Sequence, residues 1–304
     1  MKRRKFIATA GVLIGAAIAG CDRTPPPSGP VYDAQPRNGM RPRYRLAVHP
    51  LHNPTKLFEV YQPLVDVINR EIPEARFVLE ASRDYPSFEQ KIRSRRAEFL
   101  LTNPWQTLKA MEAGFHVIAS AGAPEDFKGI FIVRRDSPIR LPADLKGKAV
   151  SYPAATAMAA CIMPQAWLHG QGINVNRDIE NRYVGSQESS IMNTYQGHTA
   201  IAATWPPPWR AFQRDHPQEA AELRVIWETP PLINNAVVAR NDLPSALIAQ
   251  VRQVLLKLAT RHEGQQILAG METRAFYPAS DASYQVVRTY IDTFERQVRP
   301  VESP

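Results

Sequence analysis

Three groups of residues in this sequence combine reactive or polar side chains with informative spacing. Thr102-Asn103-Pro104 closes a short apolar run, Phe99-Leu100-Leu101, and opens a second run in which Leu108 and Met111 recur at helical spacing. Asn suits an N-cap and Pro the first helical position, so this corner reads as a strand feeding a helix N-terminus. Free backbone N–H groups and the helix dipole at such a corner suit an anion, and plain capping is the simpler use of the same residues. Trp205 and Trp209 flank three prolines, which the sequence leads us to expect as a stiff, extended segment holding an aromatic wall. Such a wall suits an apolar or quaternary-ammonium substituent, while core or hinge packing is the alternative use of the tryptophans. Cys161 with His49 and His52 could supply thiolate and imidazole to Cu, Zn or an arsenite-like ligand. Equally, Cys161 could be a small buried residue on the inner face of its helix and the histidines ordinary loop residues.

Enzyme signatures are missing from the sequence. It has no Gly-x-Ser-x-Gly, no phosphate loop, no His-Glu-x-x-His and no Cys-x-x-Cys. No catalytic residue or cofactor is expected.

The elements that must position these groups follow from periodicity. Tyr44–Val48 reads as a strand, His49–Pro54 as a loop, and Leu57, Tyr61, Leu64, Val65 and Ile68 as one face of a helix kinked or restarted at Pro63. Arg76–Leu79 is a second strand. A helix capped by Asp84 and led by Tyr85, with Phe88 and Ile92 inward, precedes the Thr102 corner. Strands near His116–Ala119 and Ile130–Arg135 follow. After Asp136 the pattern restarts, with strands at Ala149–Ser151, Tyr183–Val184, Ile201–Ala203, Val225–Trp227 and Ala236–Ala239. Helices are expected at Ala155–Gly170 and Ser189–Tyr195, then at Pro244–Leu258, Glu263–Leu268 and Ser283–Val298. Strands alternating with helices argue for an α/β fold with parallel sheets, in two lobes around a cleft.

The N-terminus adds a targeting expectation. Lys2-Arg3-Arg4-Lys5 precedes an apolar run, Phe6 to Ala19, shorter than the roughly 20 residues of a spanning helix. Ile18-Ala19-Gly20-Cys21 resembles a bacterial lipobox, which implies a signal peptide over 1–20 and a diacylated Cys21. Arg3-Arg4-Lys5-Phe6-Ile7 also resembles a twin-arginine signal. Residues 21–42 are rich in proline and read as a tether. Asp22 after the acylated cysteine would favour retention at the inner membrane. The formal charge of +8 includes the four basic residues of the signal, leaving a mature chain near +4, too modest for nucleic acid. With Cys21 lipidated, Cys161 is left without a disulfide partner.

Taken in order, several stretches resemble the phosphonate-binding type of periplasmic solute receptors of ABC transporters, within the type II bilobal binding proteins. They are Tyr85 to Pro104, Val133-Arg134-Arg135-Asp136-Ser137, Asp144-Leu145-Lys146-Gly147-Lys148, Val184-Gly185-Ser186-Gln187-Glu188 and Val238-Ala239-Arg240-Asn241-Asp242-Leu243-Pro244, closing with Gly264–Leu268 and Asp281–Tyr284. The resemblance implies two α/β lobes joined by a two-segment hinge, lobe 1 from 43–135 plus 236–304 and lobe 2 from 136–235. It implies a monomeric, lipid-anchored receptor on the periplasmic side of the inner membrane. Such a receptor would deliver a phosphonate-, phosphite- or phosphate-type anion to a membrane permease, or report it to a sensor kinase. It points Tyr85, Thr102, Asn103, Trp105, Tyr152, Thr156, Gln187, Glu188, Ser189 and Trp205 at the cleft. Relatives carry a Ser/Thr-rich turn before the position of Pro164, whereas Ala157-Met158-Ala159-Ala160 stands here, with Ser151 and Thr156 as the nearby hydroxyls. Each charge-assisted hydrogen bond so lost is worth about 1.5–3 kcal/mol.

Overall fold

Arg43–Val48 (β1) turns Leu46, Ala47 and Val48 into the core, and it pairs in parallel with Arg76–Glu80 (β2) and with Phe99–Thr102 (β3). The computed structural model describes residues 41–302; the expected signal peptide, Cys21 and nearly all of the tether lie outside them. Both sheets described below belong to one compact unit.

The first sheet has six strands in the order β11-β4-β10-β3-β1-β2, where β4 is Phe115–Ala121, β10 is Asn235–Arg240 and β11 is Phe276–Tyr277. The second has five, β7-β6-β8-β5-β9, from Ile130–Arg134 (β5), Ala149–Tyr152 (β6), Glu180–Tyr183 (β7), Ile201–Thr204 (β8) and Leu223–Glu228 (β9). Neither sheet is purely parallel as alternation suggested. β10 runs antiparallel between β3 and β4, and β5 runs antiparallel between β8 and β9. The reason is that the chain crosses between the sheets twice, at 122–129 and 229–234, and each crossing inserts a strand against the local direction. The second sheet therefore starts at Ile130, earlier than the boundary after Arg135 expected from the sequence. The crossings are tied together: Gly129 N–H donates to Thr229 Oγ1 at 2.9 Å and Leu232 N–H to the Phe127 carbonyl at 2.9 Å.

Around the first sheet lie Pro54–Glu71 (α1), Tyr85–Arg93 (α2) and Pro104–Glu112 (α3). Around the second lie Met163–Gly170 (α4), Gln187–Tyr195 (α5), Pro206–Asp215 (α6) and Pro217–Ala221 (α7). The C-terminal Ser245–Lys257 (α8), His262–Gly270 (α9) and Gln285–Gln297 (α10) return to the first sheet. α1 runs through Pro63 without restarting. The carbonyl that proline leaves unpaired belongs to Glu59, an exposed residue on the solvent side of the helix.

Two other expectations change for local reasons. The segment 155–170 is not one α-helix: Met158–Ile162 is a π-turn, and the Ala157 carbonyl accepts from both Cys161 N and Ile162 N, at 2.8 and 3.1 Å. Pro164 has no N–H for the Ala160 carbonyl and its ring crowds it, so the turn widens. The three prolines after Trp205 are not extended either. They form the first turn of α6, where no N–H is needed and φ near −65° is already helical.

Candidate ligand site between the two sheets

The site is assembled from helix starts. In α2, Asp84 accepts from Ser87 N–H and fixes Tyr85 at the first position, 2% exposed. In α3, Asn103 and Gln106 form a capping box: Asn103 Oδ1 accepts from Gln106 N–H at 2.9 Å, and Asn103 N–H donates to Gln106 Oε1 at 3.3 Å. That leaves Asn103 Nδ2 free to cross the cleft and donate to the Thr156 carbonyl at 3.2 Å. Thr156 Oγ1 returns the contact, donating to Glu89 Oε1 of α2 at 2.6 Å, and Gln106 Nε2 donates to the same oxygen at 3.4 Å. A second bridge joins α2 to α5, where Gln187 Nε2 donates to Tyr85 Oη at 3.2 Å and Gln187 Oε1 accepts from Thr204 Oγ1 at 2.8 Å. These neutral and singly charged hydrogen bonds join the two lobes beside the ion pairs of Arg210 and Arg214 with Glu272 and of Lys56 with Asp215.

Between these bridges lies the turn Thr156–Ala160. The N–H groups of Met158, Ala159 and Ala160 donate to no protein acceptor among the described residues, although all three residues are at most 4% exposed. Unpaired buried N–H groups are costly, and a helix start that collects several of them is a ready seat for an oxyanion. The start of α6 offers no such seat. Pro206, Pro207 and Pro208 carry no N–H, and Trp209 N–H is already given to the Trp205 carbonyl at 3.3 Å.

Burial sets the electrostatics. Burial raises the Glu89 carboxyl above the ordinary range, against the opposing hydrogen bonds from Thr156 and Gln106. Burial also raises the Tyr85 hydroxyl, which stays protonated. His49 is lowered to about 4 by burial, so its imidazole is neutral; Nδ1 lies 3.2 Å from the Leu101 carbonyl, which can only accept, leaving Nε2 as an acceptor.

Of the residues singled out from sequence, the structure gathers Tyr85, Asn103, Thr156 and Gln187 around one cleft. Thr102 directs its hydroxyl into its own lobe, 2.8 Å from Thr107 Oγ1 and 3.4 Å from the Ala236 carbonyl. Glu188 is half-exposed and pairs with His216 at 3.3 Å. Ser189 exchanges hydrogen bonds with the N-cap Ser186. Tyr152 packs on Tyr183 inside the second lobe, its hydroxyl without a partner among the described residues. Ser151 spends its hydroxyl on the Ser190 carbonyl at 2.8 Å, which leaves Thr156 as the turn's hydroxyl.

Neither tryptophan forms an open wall. Trp105 is 2% exposed with the Lys109 ammonium 5.7 Å from its ring, and Trp205, 6% exposed, packs edge-on against Phe127 at 5.4 Å. Trp205 borders a narrow crevice with His52, Tyr61, Leu101, Asn235 and Met271. His49, His52 and Cys161 are not brought together: no group of three metal-ligating side chains occurs among the described residues. Cys161 faces Arg299 instead, and burial pushes its thiol up to about 12.

Glu89, Gln106 and Thr204 are site residues that sequence reasoning missed. The Asn103-x-x-Gln106 spacing of a capping box was a usable signal, and Glu89 stands one helical turn after Tyr85.

Residues 46–284 match the family of periplasmic substrate-binding proteins of phosphonate ABC transporters. The probable ABC transporter phosphite binding protein PhnD1 of Prochlorococcus marinus is 20% identical over 182 residues, 56% of this chain and 61% of that protein. Its structure with methylphosphonate is similar at TM-score 0.76 and 16% identity, covering 84% of this chain and 100% of that one. A binding protein component of a phosphonate ABC transporter from Pseudomonas aeruginosa gives TM-score 0.78 at 16% identity, over 85% of this chain and 88% of that one. The tetrathionate sensor histidine kinase TtrS of Salmonella typhimurium is 24% identical over 154 residues, 48% of this chain and 26% of that protein. The chain spans less than two thirds of the length of either curated relative. Two mixed sheets joined by two crossings, with the family match running through both, make this chain a member of the phosphonate-binding family of periplasmic ABC transporter receptors.

Proposed function

We propose that the protein closes its two lobes on a small oxyanion of the phosphonate, phosphite or phosphate class and presents the closed form to a membrane permease. The observation that carries this reading is the turn Thr156–Ala160: the N–H groups of Met158, Ala159 and Ala160 are buried without acceptors among the described residues, and Asn103 and Glu89 clasp Thr156 from the opposite lobe. Tyr85, Asn103, Thr156 and Gln187 are its proposed ligand-site residues. Because the turn lacks the serines and threonines of its relatives, recognition rests on backbone N–H groups, which suit a compact tetrahedral anion.

The test is a calorimetric panel on the purified protein with methylphosphonate, phosphite, phosphate, sulfonates, betaines, tetrathionate and metal ions. Saturable binding confined to one phosphorus oxyanion class supports the reading. Binding of betaines or metal ions alone overturns it. Saturating ligand at a hundred times its dissociation constant stabilises by about 2.7 kcal/mol, so thermal shifts provide an independent readout.

A second reading is sensing, with the closed form docking on a membrane histidine kinase. It is favoured by the similarity to the tetrathionate sensor histidine kinase TtrS of Salmonella typhimurium, and selective binding of tetrathionate would support it.

The proposed placement is on the periplasmic face of the inner membrane through acylated Cys21, as a monomer with lobe 1 at 43–135 plus 236–304 and lobe 2 at 136–235, adjusted for β5. No helix among the described residues is long and apolar enough to cross a membrane. Fractionation of Cys21→Ala tests the anchor: release into the soluble periplasm is expected, and retention in membranes rules the anchor out.

A further inference from the structure

Arg299 is buried, 6% exposed, and no carboxylate among the described residues lies within ion-pair distance of it. Among the described residues its guanidinium is held by neutral acceptors alone. Nε donates to Gln165 Oε1 at 2.8 Å, Nη1 to the carbonyls of Pro300 and Val301 at 2.8 and 3.2 Å, and Nη2 to the Ala155 carbonyl at 3.0 Å and Cys161 Sγ at 3.6 Å. The Phe294 ring covers it at 5.4 Å. A buried cation without a counter-charge carries a large desolvation penalty, so an unpaired one needs a compensating interaction.

Its position indicates what that interaction is. Ala155 and Cys161 lie on either side of the turn Thr156–Ala160, so one guanidinium grips the turn from behind at both ends. The grip comes from the C-terminal strap after α10. That strap is fastened to the first lobe by Glu302 with Lys109 at 3.6 Å, and to the second by Asn176 Nδ2 donating to the Val298 carbonyl at 2.8 Å.

We propose that Arg299 is a positioning residue for the oxyanion turn, and that its unpaired charge is completed by the negative charge of the bound ligand. The proposal rests on the reading of that turn as the anion seat. With hydroxyl donors replaced by alanine and methionine, the permanent charge behind the turn supplies the selectivity for anions that side chains at the turn do not.

The experiment compares binding of methylphosphonate and of inorganic phosphate by calorimetry to wild type, Arg299→Lys, Arg299→Gln, Gln165→Glu and Arg288→Gln. Arg288 is exposed on α10, the helix that precedes the strap, and serves as the control. Gln165→Glu keeps an acceptor oxygen on Nε while neutralising the guanidinium with a carboxylate; it also gives up the hydrogen bond from Gln165 Nε2 to Asn181 Oδ1 at 3.1 Å, so its melting point is read beside its affinity. The expected result is a loss of about tenfold or more for Arg299→Gln and Gln165→Glu, partial rescue by Arg299→Lys, and no change for Arg288→Gln. Wild-type affinity in Gln165→Glu, or equal losses in Arg299→Lys and Arg299→Gln, overturns the proposal while leaving the oxyanion reading intact. Absence of oxyanion binding by the wild type overturns both.

Discussion

Asn103 and Thr156 meet across the cleft through a side-chain amide of one lobe and a backbone carbonyl of the other, 3.2 Å apart. The acceptor is a main-chain oxygen at the head of the proposed oxyanion turn, so this contact needs no side chain there; the Thr156 hydroxyl adds a second one, to Glu89 at 2.6 Å. This explains how a turn of alanines and a methionine can keep its place without the hydroxyls of its relatives.

Removing the Tyr85 hydroxyl tests the other bridge. Tyr85→Phe leaves buried Gln187 Nε2 without its partner, a loss of about 1–3 kcal/mol. The expected outcome is weaker methylphosphonate binding and a melting point lower by a few degrees. Unchanged values for both would remove this contact from the site.

Glu89 makes closure sensitive to pH. Its folded-state pKa is raised, above an unfolded value of about 4.3, so protonation favours the folded form. That contribution is fully present below the unfolded value and is lost as pH rises through the folded one. Glu89→Gln keeps an oxygen for Thr156 Oγ1 and abolishes the titration. Its melting point should therefore gain on wild type as pH increases from about 4 to 7, and parallel melting curves across that range would contradict the assignment.

Trp105 is packed as a core residue. At 2% exposure, Trp105→Ala is expected to destabilise by about 3–5 kcal/mol, a melting-point drop on the order of 10 °C, visible by calorimetry without ligand. A variant with normal stability and abolished binding would return Trp105 to the ligand contacts expected from the sequence.

Cys161 should be chemically silent. Fully buried and with its thiol raised to about 12, it should resist maleimide in native Cys21→Ala protein and react once denatured. Cys161→Ser should bind oxyanion within about twofold of wild type, since a hydroxyl still accepts from Arg299. Fast native labelling would mean that the segment 158–162 opens.

Local signals were legible in the sequence and long-range ones were not. Asp84, Asn103 and Pro104 announce helix starts through side chains that act within three residues, and the structure keeps each of them. The prolines after Trp205 were misread because the same fixed φ serves both an extended segment and a first helical turn. The antiparallel strands β10 and β5 depend on where the chain crosses between sheets, which periodicity does not encode. Glu89 and Arg299 acquire meaning only through partners 67 and 144 residues away.

Gly129 lies in the first crossing, and a methyl group placed there would stand 2.7 Å from the Ala159 carbonyl. Hinge and oxyanion turn are therefore in direct mechanical register, like two cogs with no slack between their teeth. On the proposed reading of the turn as an anion seat, bending the hinge would press on its wall, so that opening the lobes and releasing the ligand would be one movement with no second trigger.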